Sequence, residues 1–172
     1  EGGASRPRLH VIGDLVAFGN LDGTPGDEAA AVLSENSGGS GEMIYLAIVG
    51  RRDGAPTSLG TVQVGDRTKI RTFAVAGTEV VMDVVEAGPQ DAQCCPTQLA
   101  RKTYGLENGT PKLRNSQVTG TLSTALLAGP EWTVVEIDGA PLPAGAKPPT
   151  VTVEDGRISG FGGCNTYTGP IK

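Results

Sequence analysis

Apolar residues along this chain come in short runs rich in Val, Ile and Thr, each closed off by Gly, Asp, Asn or Pro. That texture predicts strands. The clearest runs are MIYLAIV (43–49), SLGTVQV (58–64), KIRTFAV (69–75), EVVMDVV (79–85) and LARKTYGL (99–106). Between the third and fourth, Ala76-Gly77-Thr78 is short enough for a hairpin, because Gly accepts the positive φ such turns require. Asn108-Gly109 and Asp155-Gly156 are stronger signals of the same kind. Only DEAAAVLSEN (27–36) has helix-favouring composition, dominated by Ala, Leu and Glu. Its brevity, and the turn-like SGGSG that separates it from MIYLAIV, favour a strand. The expected fold is mainly β, an antiparallel sheet closed as a sandwich or barrel, with little helix.

A boundary is expected at 123–130, where TLSTALLAGPEW changes texture before a new pattern starts at Trp132. This divides a mainly β domain (1–122) and a linker (123–130) from a second, incomplete β unit (131–172). WTVVEIDG and PPTVTVEDGRISGFGGCNTY read as two or three strands, too few to enclose a core. The expectation is that the chain continues beyond Lys172, or that these strands complete a sheet elsewhere.

Composition narrows the functional classes. The 172 residues are enough to bury a core without cysteine staples. Net charge is −5, with both signs scattered and no basic run, so nucleic acid is not an expected partner. No apolar run approaches the roughly 20 residues of a membrane span, and EGGASRPRLH lacks the apolar stretch of a signal peptide. Any leader or lipid anchor is expected to lie upstream and to have been removed. The 26 Gly and 12 Pro imply many turns between short elements.

Candidate chemistry begins with the stretch QDAQCCPTQ (90–98), where Cys94 and Cys95 are adjacent; the third cysteine is Cys164. Neighbouring Cα atoms lie about 3.8 Å apart, closer than the roughly 4.4–6.8 Å usual for bridged pairs. A bond between neighbours is possible but strained. Alternatives are a bridge to Cys164, such as Cys95–Cys164, buried thiols, metal binding or redox work. Three cysteines fall short of the four ligands of a structural zinc site, and CC is not the C-x-x-C redox motif. Pro96 fixes its own φ and biases Cys95 toward extended backbone, which predicts a rigid loop.

Within FGNLDGTPGDEAAAVL (18–33), oxygen-bearing side chains recur at Asn20, Asp22 and Thr24, with Glu28 after a Gly. A tight loop of oxygens suits Ca²⁺. Thr24 replaces an acid and Pro25 stands where the Gly should be, so an Asx-type turn competes with the calcium reading. ENSGGSGE (35–42) is Gly-rich, but the Lys and helix of a phosphate loop are absent and Glu42 and a strand follow. A flexible connection is the expectation there. His10, the one histidine, lies near a terminus expected to be loose. No catalytic residues are assigned, and no cofactor beyond possible Ca²⁺.

Two resemblances extend this reading. WTVVEIDG from Trp132, with PTVTVEDGRISGFGGCNTY from Pro149, resembles the opening half of a META domain, the family of HslJ-like bacterial heat-shock proteins. Its most specific portion is G-x-x-G-C-N-x-Y, here Gly160, Gly163, Cys164, Asn165 and Tyr167. The later half of that family, which often carries another cysteine, is not matched, so Cys164 is expected to lack its usual partner. The upstream part is similar to a domain of bacterial exported proteins and lipoproteins. There a G-D-L-N-G-D-G-like loop (here 19–28) precedes an A-A-V-x-L strand (30–33), a Gly/Ser turn (37–41), an aromatic strand with Tyr45, and C-C-P-T-Q (94–98). That likeness implies a Cys94–Cys95 bond in an oxidising compartment.

Together these readings lead to an expected non-enzymatic protein of the bacterial periplasm or cell surface, associated with envelope or stress functions. It would act by binding or assembly, with a protein partner or neighbouring subunit completing the C-terminal sheet. Two other readings compete. One is a thiol-disulfide redox switch at Cys94 and Cys95, with Arg101 and Lys102 as the only nearby cations to lower a thiol pKa. The other is calcium-dependent adhesion through Asn20, Asp22, Thr24 and Glu28.

Overall fold

A computed structural model describes residues 7–38, 41–92 and 94–171. The chain divides into two compact units, Glu1–Thr121 and Leu122–Lys172. The residues expected to link them, 123–130, hold a one-turn 3-10 helix, Thr124–Leu127, which Ser123 caps by accepting from the Ala125 amide.

The first unit contains eight antiparallel strands in two four-stranded meanders. One sheet runs β1 (Arg8–Gly19), β2 (Glu28–Asn36), β3 (Met43–Arg52) and β4 (Ala55–Asp66). The other runs β5 (Lys69–Ala76), β6 (Glu79–Glu86), β7 (Gln98–Glu107) and β8 (Thr110–Thr121). Neither sheet closes on itself, so the sandwich form of the expected fold applies. The Ala-rich segment is strand β2, where strict alternation overrides helix propensity: Glu28, Ala30, Val32 and Ser34 are buried and the residues between them are half-buried. His10, expected in a loose terminus, lies in β1 opposite Ser34. Of the Gly/Ser connection at 35–42, Gly39 and Ser40 lie outside the described residues.

Hairpin chemistry is repetitive. Asp53-Gly54 joins β3 to β4 and Asn108-Gly109 joins β7 to β8, with φ of 52° and 80°, and of 52° and 75°. Positive φ at both central residues matches the right-handed twist of the flanking strands, and Asx-Gly adopts it at least cost.

One core lies between the sheets. Ala30, Val32, Ile44, Leu46 and Ile48 from β2 and β3 meet Val80, Met82, Val84, Ala100 and Tyr104 from β6 and β7. Burying each larger side chain contributes about 1.5–3 kcal/mol. Period-two alternation also turns Lys102 inward, between Ala100 and Tyr104. Its Nζ lies 2.6 Å from Glu86 Oε2 and donates to the Val64 carbonyl at 3.0 Å, spanning from one sheet to the other. Burial, reinforced by the Glu86 charge, pushes the fully buried Tyr104 hydroxyl above its ordinary pKa.

The two sheets differ on their outer faces. Across the second, Thr72, Asp83, Arg101 and Gln117 form one row, and Arg101 grips Asp83 with two hydrogen bonds of 2.7 and 2.9 Å. That clasp, with a hydrogen bond from Thr72, draws the Asp83 carboxyl down to about 2. Across the first sheet one row reads Val11, Leu33, Tyr45 and the next Val16, Ala31, Ala47. A third reads Phe18, Ala29, Val49.

The second unit is a sheet of order β14-β13-β12-β9, formed by β9 (Trp132–Thr133), β12 (Thr150–Glu154), β13 (Arg157–Phe161) and β14 (Thr166–Pro170). A two-strand ladder of β10 (Glu136–Ile137) and β11 (Ala140–Pro141) stands apart from it. Val153 is the one hydrophobic side chain buried among this unit's described residues. No helix among the described residues is long and apolar enough to cross a membrane.

The inter-sheet ion pair makes a prediction about stability. Lys102→Met strands Glu86 near the core and is expected to cost about 3 kcal/mol, whereas Lys102→Met with Glu86→Leu recovers most of that loss. Urea unfolding of both variants checks it; equal losses would show that the pair contributes nothing through its charge.

Candidate functional site

The double cysteine lies in the loop between β6 and β7, and a carboxylate organises that loop. Asp91 Oδ2 accepts from the amides of Gly88 and Thr97 at 2.8 and 2.6 Å, and Oδ1 accepts from the Thr97 hydroxyl at 2.8 Å. Gly88 and Thr97 stand next to the two strands, so one side chain ties the start of the loop to its end. Those donors hold the Asp91 carboxyl below the usual carboxylate range. The Cys95 amide donates to Ala92 at 2.9 Å, turning the chain so that Cys94 and Cys95 are exposed with their sulfurs in contact. Gln93, within QDAQCCPTQ, lies outside the described residues. Cys164 is exposed and free, at the tip of another hairpin.

Both cations nearest the pair in sequence are engaged elsewhere. Of the two cations expected to acidify a thiol, Arg101 is clasped by Asp83 on the outer sheet face and Lys102 is turned into the core. Sequence reasoning missed Asp91. Its signal was an Asp between the turn residues Gly88-Pro89 and a Thr.

The loop at 20–28 brings all four proposed calcium ligands together and occupies them with its own backbone. Glu28 is buried and accepts from the amides of Leu21 and Asp22 at 2.7 and 3.2 Å. Asn20 Oδ1 accepts from the Gly23 amide at 2.7 Å, and its Nδ2 donates to the Thr24 carbonyl. Asp22 Oδ1 accepts from both the amide and the hydroxyl of Thr24 at 2.7 Å, which lowers its pKa. This is an Asx-turn network in which Asn20 Oδ1, Asp22 Oδ1 and Glu28 Oε2 each serve the loop's own amides. Among the described residues no three His, Cys, Asp or Glu gather as a metal set.

The third place is the C-terminal sheet, where the G-x-x-G-C-N-x-Y residues take structural roles. The Gly162 amide donates to the Asn165 carbonyl at 2.7 Å and closes the β13–β14 hairpin; Gly163 has φ of 101° and Cys164 sits at the turn. Tyr167 lies opposite Gly160, and its hydroxyl donates to the Thr150 carbonyl at 2.8 Å. A Cβ at Gly160 would collide with that carbonyl oxygen and with the Tyr167 hydroxyl, so only glycine lets the tyrosine reach across the strand. Beside it a shallow depression of about 630 Å³ is lined by hydroxyls of Thr152, Ser159 and Thr168, with Glu131, Phe161 and Lys147. The Lys147 ammonium stands 4.3 Å above the Phe161 ring. β14 forms an open edge of this sheet. Leu126, Leu127, Trp132, Val135 and Ile137 are all exposed.

The Asp91 network sets a pH dependence. A carboxyl whose folded pKa is depressed contributes order that is complete above its unfolded value of about 3.9 and is lost as pH falls through the folded value. Protection of the Gly88 and Thr97 amides from hydrogen exchange is therefore expected to survive at pH 4 and to fail at lower pH. In Asp91→Ala that protection should be absent at every pH.

No curated protein and no solved structure matches this chain. One family does match part of it: residues 125–172, carrying the hairpin glycines, Cys164 and Tyr167, are similar to the META domain, a likeness that points to a stress-related or envelope-associated role.

Proposed function

We propose that this is a non-catalytic bacterial protein, exported to the periplasm or cell surface, that works by binding and assembly through its C-terminal sheet. One observation carries the reading. Among its described residues the second unit buries one hydrophobic side chain, Val153, while Leu126, Leu127, Trp132, Val135 and Ile137 are exposed. One fully buried aliphatic side chain contributes about 1.5–3 kcal/mol, small beside the roughly 1–2 kcal/mol per residue needed to order backbone. A sheet so poorly covered gains most by docking against another chain. The open strand β14 supplies the backbone donors and acceptors for that docking, by strand addition from a partner or neighbouring subunit.

The upstream unit serves as a stable carrier, and in this reading Cys94–Cys95 is a disulfide that locks the loop already ordered by Asp91. An oxidising compartment suits such a bond. The redox-switch reading has less support, because Arg101 and Lys102 are both engaged elsewhere. Calcium-dependent adhesion has less as well, since Asn20, Asp22 and Glu28 each commit an oxygen to the loop's own amides.

Trp132, the only tryptophan, reports directly on the proposed surface. In dilute protein acrylamide should quench it readily and the β14 amides should exchange freely; with an isolated envelope fraction, both should become shielded. If Trp132 is already shielded in the dilute monomer and the unit melts cooperatively on its own, the assembly reading fails. Thiol counting in denaturant offers an independent check on the loop lock. Freshly isolated protein should show one free thiol, Cys164, and all three cysteines only after reduction. Free thiols at Cys94 and Cys95 would remove the lock.

A further inference from the structure

The outer face of the first sheet is built unlike the outer face of the second. On the second, charge and hydroxyl groups cover the strands, with Asp83, Arg101 and Thr72 bound to one another. This is how a water-facing sheet is made in this molecule. On the first, β1 presents Leu9, Val11, Val16 and Phe18 on the same face, and Leu9 and Phe18 are 61% and 69% exposed. The next two strands continue it with Leu33, Tyr45 and Val49. Only the fourth column, Ser58, Thr61 and Gln63 of β4, is polar. At strand spacings of about 4.8 Å and rises of about 3.4 Å per residue, this face measures roughly 20 by 25 Å with its side chains.

Charge gathers toward its two ends, with Asp27 near Arg51 at one of them, and Asp14 stands exposed in the bulge of β1 between Val11 and Val16. Arg51 continues the face beyond Val49 and is exposed, at one end of β3. Glu35 stands opposite Met43 at the other end, where it accepts a hydrogen bond from the Tyr45 hydroxyl. In a face-to-face pair related by a two-fold axis lying across the strands, each strand runs against its counterpart. The Arg51 end of one copy then covers the Glu35 end of the other, twice per pair. Two patches of this size would remove roughly 1,000 Å² in total, the area at which specific association starts.

We propose that the outer face of β1–β3 docks a second copy of this chain, as an isologous sheet-on-sheet dimer centred on Val11, Val16 and Phe18 and registered by Arg51 against Glu35. The face belongs to the first unit and the assembly reading to the second, so the dimer and the assembly function stand or fall independently.

Sedimentation equilibrium of the full chain, from about one to several hundred micromolar, tests it. The intact protein should approach twice its monomer mass. Phe18→Asp should raise the dissociation constant at least about tenfold, while circular dichroism and Trp132 quenching stay as in the parent. Arg51→Glu should weaken the dimer, and Arg51→Glu combined with Glu35→Lys should restore it, a rescue that loss of folding cannot imitate. A chain that stays monomeric throughout this range overturns the proposal, and so does a monomer that floats with anionic phospholipid vesicles, which would assign the face to lipid. A dimer indifferent to Phe18→Asp overturns it as well, by locating the contact elsewhere.

Discussion

Everything in the larger unit depends on one packing arrangement: the inner faces of β2 and β3 against the inner faces of β6 and β7. These four central strands hold nearly all of the fully buried side chains, from Ala30 and Val32 to Met82 and Tyr104. The sheets are meanders, so each central strand is bonded on both sides before it contributes to the core. Lys102 crosses the gap within that core, bonded to Glu86 on its own sheet and to the Val64 carbonyl on the other. A cation there is tolerated only because each of these acceptors is within reach. Its inward position is the direct result of strand periodicity between Ala100 and Tyr104.

Carboxylates play a repeated part around this core. Glu28 gathers the amides of Leu21 and Asp22, and Asp91 gathers those of Gly88 and Thr97. In each case an irregular segment would otherwise leave backbone donors without partners, and a charged acceptor is a strong one. The motif that looks like a cation loop and the loop with paired cysteines are thus solutions to the same local problem. A carboxylate spent on backbone amides is less available for a metal or a thiol.

The molecule is uneven in how it hides apolar surface. Its first unit encloses a core and yet leaves Leu9, Val11 and Phe18 of β1 exposed, and its second unit leaves Trp132, Val135 and Ile137 exposed while Val153 is the one hydrophobic side chain buried among its described residues. Neither face carries the charged clasp that Asp83 and Arg101 make on the remaining one. Within the residues similar to the META domain, Gly160 and Tyr167 tie three strands together and Cys164 stands at an exposed turn.

Local pattern alone determined much of this. Strands at 43–49, 69–75, 79–85 and 99–106 followed from short runs rich in Val, Ile and Thr closed by turn residues, the Ala-rich β2 from its brevity and the turn-like stretch after it, and the Asn108-Gly109 and Asp155-Gly156 turns from φ preference, all signals that act over a few residues. What only tertiary structure decided was which partner each polar group found. Asp91 reaching Thr97, Lys102 reaching Val64, and Arg101 turning to Asp83 rather than to the cysteines all depend on which strands become neighbours. Likewise, whether the apolar residues of β1 face the core or the water was set by its register with β2. A shift of one residue exchanges the faces of a strand, and pairing between distant segments, not the strand's own residues, selects the register.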